Sequence, residues 1–340
     1  MTGGATKRVL KLAPLLLGVV VFAASCASNA PQTTLKPKGP QAQTIANLIT
    51  PVFCIAAVVF VLILGGALFV SLKFRAKDDD DFNEFPEQIH GHFKMEIGWT
   101  ILPALILAVV GLFTVVTIFD LAKKPGPEAV QVQIYGQQWW WEYRYDTNND
   151  GKPDIITANQ MVIPAGRQVD LTIRSNDVIH SFWIPSLNGK KDAVPGRSHD
   201  WSLEADKPGL YQGTCTEFCG LSHAYMRMEV KAVTKAEFAT WEAAQQKLPT
   251  LPADPTPTIT TDDPQVLTGF KVFLNQCATC HQINGIDPDG KKADGALYAK
   301  SKFDGPDPEY RQAIDPKTGF PRHPLTSGNA PNLTHLMSRN

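Results

Sequence analysis

The residues best suited to chemistry include four of the six cysteines in the 340-residue chain, which form two local pairs with His residues at ligand-like spacing. The first set contains two thiols, two imidazoles, a thioether and a carboxylate: His180, Cys215, Glu217, Cys219, His223 and Met226. Sulfur and imidazole ligands favour copper over hard cations. Two Cys sulfurs can each bridge two copper ions, which leaves one His as the terminal ligand of each metal. Met226 is then a weak axial ligand of one copper, and the backbone carbonyl of Glu217 serves the other.

Two other interpretations of this set stay open from the residues alone. In an exported β domain, Cys215 and Cys219 could form a disulfide, which would leave both histidines as surface residues. A four-ligand zinc site is the second alternative, but it leaves Met226 without a role. The copper arrangement fills every coordination position, so it suits electron transfer rather than substrate binding.

The second segment, Cys277-Ala-Thr-Cys280-His281, has the spacing of a c-type haem attachment site. Its two thiols would form thioethers to the porphyrin, and His281 would occupy one axial position of the iron. A thioredoxin-like redox pair is the alternative, but the adjacent His and the lack of a βαβ pattern argue against it. Gly269 and Phe273 precede the motif at the spacing of a cytochrome c N-terminal helix.

The start of the chain has the layout of an export signal. Residues 1–26 combine an early basic region, an apolar stretch at 12–22, and small residues before Cys26. The mature chain is expected to begin near Cys26. This residue is either the lipidated Cys of a bacterial lipoprotein or part of an ordinary signal peptide.

Two uncharged apolar segments predict a transmembrane hairpin across residues 41–122, with helices at about 45–72 and 97–119. Each is long enough to cross a hydrocarbon core of ~30 Å. With an exported N-terminus, both ends of the hairpin lie outside and the loop at 73–94 lies in the cytoplasm. The expected location is therefore the bacterial cell membrane, with two passes and the remaining chain on the outer side.

The region after the hairpin predicts an all-β domain at 128–234, because short β-branched and aromatic runs alternate with Gly, Pro and Asn. The clearest runs cover residues 130–135, 160–163, 169–173 and 226–232. A Thr-x-x-Glu capping box predicts a short helix at 235–247. A proline-rich linker at 248–264 and a separate module at 265–340 follow. A formal net charge of -1 without a basic cluster argues against a nucleic-acid-binding protein.

One polar turn carries a weaker signal. Asp146, Asn148, Asp150 and Asp154 stand at positions 1, 3, 5 and 9 of a calcium-binding loop, which lacks an acidic residue at position 12. A hairpin turn rich in Asn, Asp and Gly explains the segment as well, and we favour the turn.

Five motifs together resemble cytochrome c oxidase subunit II. They are Asp177-Val-Ile-His-Ser-Phe-Trp-Ile-Pro185, Lys190-Lys-Asp-Ala-Val-Pro-Gly-Arg197, Cys215-Thr-Glu-Phe-Cys-Gly-Leu-Ser-His-Ala-Tyr-Met226, Gly136-Gln-Gln-Trp-Trp-Trp-Glu-Tyr143 and Met95-Glu-Ile-Gly-Trp-Thr-Ile-Leu-Pro103. The resemblance covers residues 45–235. It implies a two-helix hairpin followed by a cupredoxin-like domain that holds a binuclear copper A centre, and no copper ligand of the family is missing. It also directs the Glu217 carboxylate to a Mg or Mn ion shared with subunit I.

The same resemblance implies roles for residues outside the metal set. Trp139 matches the exposed aromatic through which electrons enter, with core packing as the alternative, and Trp141 and Tyr143 are expected in the core. Glu96 matches the entrance of a proton pathway into subunit I. The alternative is an interfacial carboxylate without that role.

The loop that carries Lys190, Asp192 and Arg197 matches one that faces the haem-bearing subunit. There these charges need partners if they are buried. On a solitary domain the same side chains would be solvated.

The C-terminal segment departs from the cytochrome c pattern. Pro331-Asn-Leu-Thr-His335 matches an element that follows the haem motif, whereas the usual region of the axial Met is absent. Met337 and His335 are poor candidates for the sixth ligand. We expect a truncated, partial all-α cytochrome c segment that holds haem c through Cys277, Cys280 and His281.

The leading hypothesis is the subunit of a respiratory terminal oxidase through which electrons enter the complex. Cytochrome c, or a cytochrome bc complex, would deliver electrons through the fused haem c to copper A. The haems and copper B of subunit I would then reduce oxygen with proton translocation, and subunit III would be a further partner. The alternatives are a membrane-tethered copper-binding or copper-delivery protein, and a copper subunit of a nitric-oxide or nitrous-oxide reductase.

Overall fold

The computed structural model describes residues 30–75, 90–246, 264–272 and 281. The expectations for the export signal and Cys26 concern residues outside this description. So do those for Cys277, Cys280 and Met337, for most of the linker, and for nearly all of the C-terminal module.

Among the described residues, two helices are long and apolar enough to cross a membrane. Helix α1 is Pro40–Lys73 and helix α2 is Phe93–Leu121. Their large apolar side chains are mostly exposed, as expected for helices that are surrounded by lipid or by a partner protein. Both helices start four or five residues before the predicted spans. The first turns are polar, and helix formation there depends on contacts and caps that a hydropathy pattern does not contain.

The start of α1 is bound to the β domain by backbone hydrogen bonds. The amide of Lys38 donates to Ser186 O at 2.8 Å and that of Ala42 donates to Leu187 O at 3.1 Å. From the other side, the Asp206 amide donates to Lys38 O at 2.8 Å. Gly39 fits between them because a Cβ there would lie 2.0 Å from the carbonyl oxygen of Glu204. The membrane anchor and the β domain are therefore joined by a bonded connection and not by a loose linker.

Within the described residues, ten strands form the β domain. They are β1 Val130–Gln137, β2 Trp140–Asp146, β3 Ile155–Ala158, β4 Gln160–Pro164, β5 Val169–Ser175, β6 His180–Phe182, β7 Lys191–Ala193, β8 His199–Leu203, β9 Gly209–Thr214 and β10 Arg227–Val233. One sheet has the order β3-β2-β1-β5-β8, a second has β4-β10-β9, and β6 pairs with β7. The β1–β5 and β4–β10 pairs are parallel, and the other pairs are antiparallel.

The hydrophobic core lies between the two larger sheets, which makes the domain a cupredoxin-like sandwich. Buried and half-buried residues alternate along β1 and β5, because successive side chains point to opposite faces of a strand. On β2, three aromatic side chains point inward and are fully buried: Trp141, Tyr143 and Tyr145. Trp141 and Tyr143 therefore lie in the core, as the sequence predicted.

Two short helices follow the strands. Helix α3 (Lys235–Gln245) has the predicted capping box, in which Thr234 Oγ1 accepts from the Glu237 amide and the Glu237 carboxylate accepts from the Thr234 amide. Trp241 of α3 packs edge-on against Tyr145 at 5.1 Å between ring centroids. Helix α4 is Pro264–Val272.

The polar turn after β2 is held by its own side chains. The Asp146 carboxylate accepts from the amides of Asp150 and Gly151 at 3.0 and 2.8 Å. Asp154 Oδ2 accepts from both the amide and the hydroxyl of Thr147 at 2.8 Å. These contacts are typical of a hairpin turn that is stabilised by hydrogen bonds to its own Asp side chains.

Candidate metal centre

One end of the sandwich brings the predicted copper ligands together. His180 is the first residue of β6, Cys215 directly follows β9, and Met226 directly precedes β10. Because β9 and β10 are antiparallel partners, Cys215 and Met226 lie opposite each other, and the Cys215 amide donates to Met226 O at 3.0 Å. The loop between them contains a 3-10 turn at His223–Tyr225. A bond of 3.1 Å from the Thr216 amide to Ser181 O attaches this loop to β6.

The donor atoms approach one another closely. Cys215 Sγ lies 3.9 Å from Cys219 Sγ and 4.0 Å from His180 Nδ1. On the other side, Cys219 Sγ lies 3.5 Å from His223 Nδ1. A disulfide has an S–S distance of ~2.05 Å, so both cysteines are free thiols here. The arrangement places the two sulfurs in the middle with one imidazole beside each.

The two remaining predicted ligands complete this group. Met226 Sδ lies 3.7 Å from Cys219 Sγ, and the carbonyl oxygen of Glu217 lies 3.3 Å from Cys215 Sγ. The Glu217 carboxylate itself is exposed. Three sulfurs and two imidazoles at these distances form a soft donor set, which fits copper better than a hard cation.

The site is shielded by the core on one side and open at its rim on the other. His180, Cys215, Cys219 and Met226 are between 0% and 3% exposed, and His223 is half-buried. Buried ligands lose little rotamer freedom on binding and exclude competing water.

Asp177 orients the imidazole of His180, a role that the sequence analysis did not assign. His180 Nε2 lies 2.8 Å from Asp177 Oδ1, so the proton of the ring sits on Nε2 and leaves Nδ1 free as the ligand atom. Burial opposes the charged imidazolium, but the bond to Asp177 and the proximity of Cys215 outweigh it and raise the pKa of His180. Burial raises the pKa of Asp177, but hydrogen bonds from His180 and two backbone amides lower it overall. In the sequence, the feature that could have identified this pair is an Asp three residues before a candidate ligand His.

The two thiols do not ionise equally in the metal-free chain. Burial disfavours the Cys215 thiolate, but the contact with the His180 imidazole, followed by those with the backbone of Ser181 and Glu217, lowers the pKa of Cys215 to about 7. Burial and the neighbouring Cys215 charge raise the pKa of Cys219 to about 12. Two adjacent thiolates repel each other, so one of the two cysteines keeps its proton. A cation that binds between the sulfurs removes this repulsion and releases the proton.

The His180 ring is also fixed by close packing. The edge of Trp141 contacts it at 5.8 Å between ring centroids. Gly136 of β1 also lies against the ring, and a Cβ there would come within 2.8 Å of His180 Cδ2. Only a residue without a side chain fits at this position.

Trp139 connects the metal site to the surface of the domain. Its ring is half-buried, and Nε1 donates to the carbonyl oxygen of Cys219 at 3.0 Å. The side chain is neither wholly in the core nor free in solvent.

Glu96 lies far from this group, in the first turn of α2. Its carboxylate accepts from the His92 amide at 3.1 Å, and the His92 side chain caps the same turn. The residue therefore has a structural contact besides any role in proton uptake.

The predicted charged loop is at the surface of the isolated chain. Lys190, Asp192 and Arg197 are exposed, around the strand β7 that pairs with β6.

The sequence matches models of two protein domains and several curated relatives. Residues 31–116 match the transmembrane domain of cytochrome c oxidase subunit II, and residues 148–233 match its periplasmic domain. Subunit 2 of cytochrome c oxidase from Alkalihalophilus pseudofirmus is 35% identical over 274 residues, which cover 78% of this chain and 75% of that protein. The chain belongs to the cytochrome c oxidase subunit II family. It is accordingly a membrane-anchored subunit of a haem–copper oxidoreductase with a periplasmic domain, for which the family implies copper A.

Other relatives show the range of this subunit II family. A probable cytochrome c oxidase subunit 2 from Rickettsia bellii is 30% identical, over 68% of this chain and 92% of the relative. The quinol oxidase subunit 2 of Bacillus subtilis is 34% identical, over 72% of this chain and 76% of the relative. The solved periplasmic domain of cytochrome oxidase subunit II from Bradyrhizobium japonicum aligns with 37% of this chain and 96% of its own at 28% identity, with a TM-score of 0.33.

Proposed function

We propose that this subunit receives electrons one at a time at a binuclear copper A centre and delivers them to the haems of subunit I for reduction of oxygen. The observation that carries the proposal is the group of two free thiols between two imidazoles, with Met226 Sδ and the Glu217 carbonyl at its edges. His180, Cys215, Glu217, Cys219, His223 and Met226 would hold the metals.

Each ligand residue contributes a defined part of the site. Two copper ions bound there would supply one-electron transfer. Cys215 and Cys219 would hold both metals, and Asp177 holds His180 in the tautomer that leaves Nδ1 free. The burial of the ligand residues would restrict their rearrangement and so keep the structural change on electron transfer small.

The surroundings of the site suit a membrane complex. Both apolar helices would cross the membrane, with the β domain outside. The exposed carboxylate of Glu217 would reach a Mg or Mn ion shared with subunit I, and subunit III would join the same complex. Cys277, Cys280 and His281 would attach haem c, which takes electrons from cytochrome c or a cytochrome bc complex.

Membership of the family does not identify the electron donor, because one relative is a quinol oxidase subunit. We therefore infer the donor from the residues of the site. A quinol releases protons together with two electrons and requires groups that accept those protons. A complete set of copper ligands instead suits a one-electron donor such as a cytochrome c.

A copper-delivery role is the competing function. Delivery requires ligands that open to release the metal. Here four of the candidate ligand residues are at most 3% exposed: His180, Cys215, Cys219 and Met226. Burial of this kind favours retention.

Purification of the native complex tests the proposed function. Haem a-type chromophores and cytochrome c-dependent oxygen consumption should co-purify with this chain. A chain that is isolated repeatedly with copper but without either one would contradict the proposal and favour copper delivery.

Trp139→Ala is expected to slow the reduction of the metal centre by the haem donor by about tenfold or more, since small increases in the separation of reacting groups have large effects on rate. Copper content should be unchanged, because Trp139 supplies no ligand. Stopped-flow reduction of the assembled oxidase measures the rate. Trp201→Ala, which removes a half-buried indole from β8, is the matched control. An unchanged rate in Trp139→Ala would assign this residue to packing alone.

Glu96→Gln is expected to slow steady-state oxygen consumption by about tenfold or more, because a group that transfers protons contributes factors of this size or larger. The glutamine oxygen can still accept from the His92 amide, so the start of α2 is retained. Reduction of copper should be unaffected, and Lys94→Gln serves as the neighbouring control. Equal losses in turnover and copper reduction would indicate misassembly instead of a proton pathway.

A further inference from the structure

Two side-chain N–H groups converge on a single carbonyl oxygen next to the metal ligands. Gln138 Nε2 donates to Cys219 O at 2.8 Å and Trp139 Nε1 donates to the same oxygen at 3.0 Å. A carbonyl has two lone pairs, so this oxygen is fully satisfied by the pair of donors. The carbonyl belongs to Cys219, one of the two cysteines of the candidate site, so its two hydrogen bonds restrict the backbone that carries that sulfur.

Gln138 is bonded to the other half of the site as well. Its backbone amide donates to Asp177 Oδ2 at 2.7 Å, while Asp177 Oδ1 lies 2.8 Å from His180 Nε2. One residue therefore contacts the loop that carries Cys219 through its side chain and the loop that orients His180 through its backbone.

The residue after Cys219 is a glycine, which leaves room for the side chains of Gln138 and Trp139 next to the Cys219 carbonyl. Gly220 has φ +115°, which residues with a side chain rarely adopt. A Cβ at this position would lie 3.1 Å from both Gln138 Nε2 and Trp139 Cζ2. The glycine lets the turn at 137–139 approach the Cys219 carbonyl directly.

We propose that Gln138 is a positioning residue of the metal centre, which couples the Cys219 loop to the Asp177–His180 pair. The proposal rests on the proposed function insofar as the ligands bind copper. The hydrogen bond itself exists in the metal-free chain and can be tested there. Gln138 is exposed, so its replacement should not prevent folding.

The first test measures the Cys219 carbonyl directly. The full chain is labelled with heavy-isotope carbon at the cysteine carbonyls, and isotope-edited infrared spectra of the metal-free protein are recorded. Gln138→Met has nearly the same length but no donor, so one carbonyl band should move to higher frequency. Gln138→Lys restores a donor and should return the band toward its wild-type position. The control variant Gln168→Met replaces an exposed glutamine that directly precedes Val169, the first residue of β5. It should leave the spectrum unchanged.

The second test uses the copper-loaded chain. Gln138→Met should weaken copper retention against a chelator by about tenfold, the lower range for partners of metal ligands, and alter the copper hyperfine pattern in electron paramagnetic resonance. Gln138→Lys should recover both. An unshifted carbonyl band, or identical behaviour of the Met and Lys variants, would overturn the proposal. If the wild-type chain binds no copper pair but the band shifts as expected, the proposed function fails while the positioning contact stands.

Discussion

Cys215→Ser or Cys219→Ser should abolish the binuclear copper centre, because one remaining thiolate cannot bridge two copper ions symmetrically. A serine hydroxyl is a hard, weakly acidic ligand and does not replace the sulfur. In the purified full chain with copper added, electron paramagnetic resonance should lose the multi-line signal of one electron shared by two coppers. Any copper left should give the signal of a single ion.

The chain provides its own control for this experiment. Cys54 is a free, exposed cysteine on α1, so Cys54→Ser removes a thiol without touching the metal ligands. Its copper signal should match the wild type. A multi-line signal that persists in Cys215→Ser or Cys219→Ser would refute the ligand assignment.

Gly136→Ala should reduce copper affinity by about 10- to 100-fold, a loss typical of changes to the partners of metal ligands. The new Cβ would approach His180 Cδ2 to 2.8 Å and Cγ to 3.0 Å, so the imidazole must move. Overpacking of this kind costs ~1–3 kcal/mol. Competition with a chelator of known affinity measures the loss, and the copper spectrum reports the displaced ligand.

Gly209→Ala is the matched comparison for this change. Gly209 also lies in a strand, but a Cβ there would find its nearest atom at 3.5 Å, which is ordinary contact. It should bind copper like the wild type. If both variants behave alike, the approach of Gly136 to His180 has no bearing on metal binding.

The candidate ligand set could be selected from the sequence because most of its residues are close together in the chain. Cys215, Cys219, His223 and Met226 lie within one loop, where residue type and spacing determine the donor set. His180 was found through its own motif. The structure adds their convergence, which depends on the pairing of β9 with β10.

The supporting residues were not predictable in the same way. Gly136 acts on His180 through a contact between β1 and β6, and Gln138 reaches Cys219, which lies 81 residues later in the sequence. Such contacts exist only after the sheets have packed. Strand β2 is not among the runs named from the sequence, although its aromatic residues Trp141, Tyr143 and Tyr145 alternate with charged residues, which is the period-2 pattern of a strand.

The bonded junction at Lys38–Ala42 has a mechanical consequence for the copper site. Because the first turn of α1 is hydrogen-bonded to Ser186–Leu187 and to Asp206, a change in the tilt of the helix would be transmitted to the sandwich. The tilt of a membrane helix responds to the match between its apolar length and the bilayer thickness. The height of the proposed copper ligands above the lipid surface would therefore depend on the thickness of the bilayer in which the subunit resides.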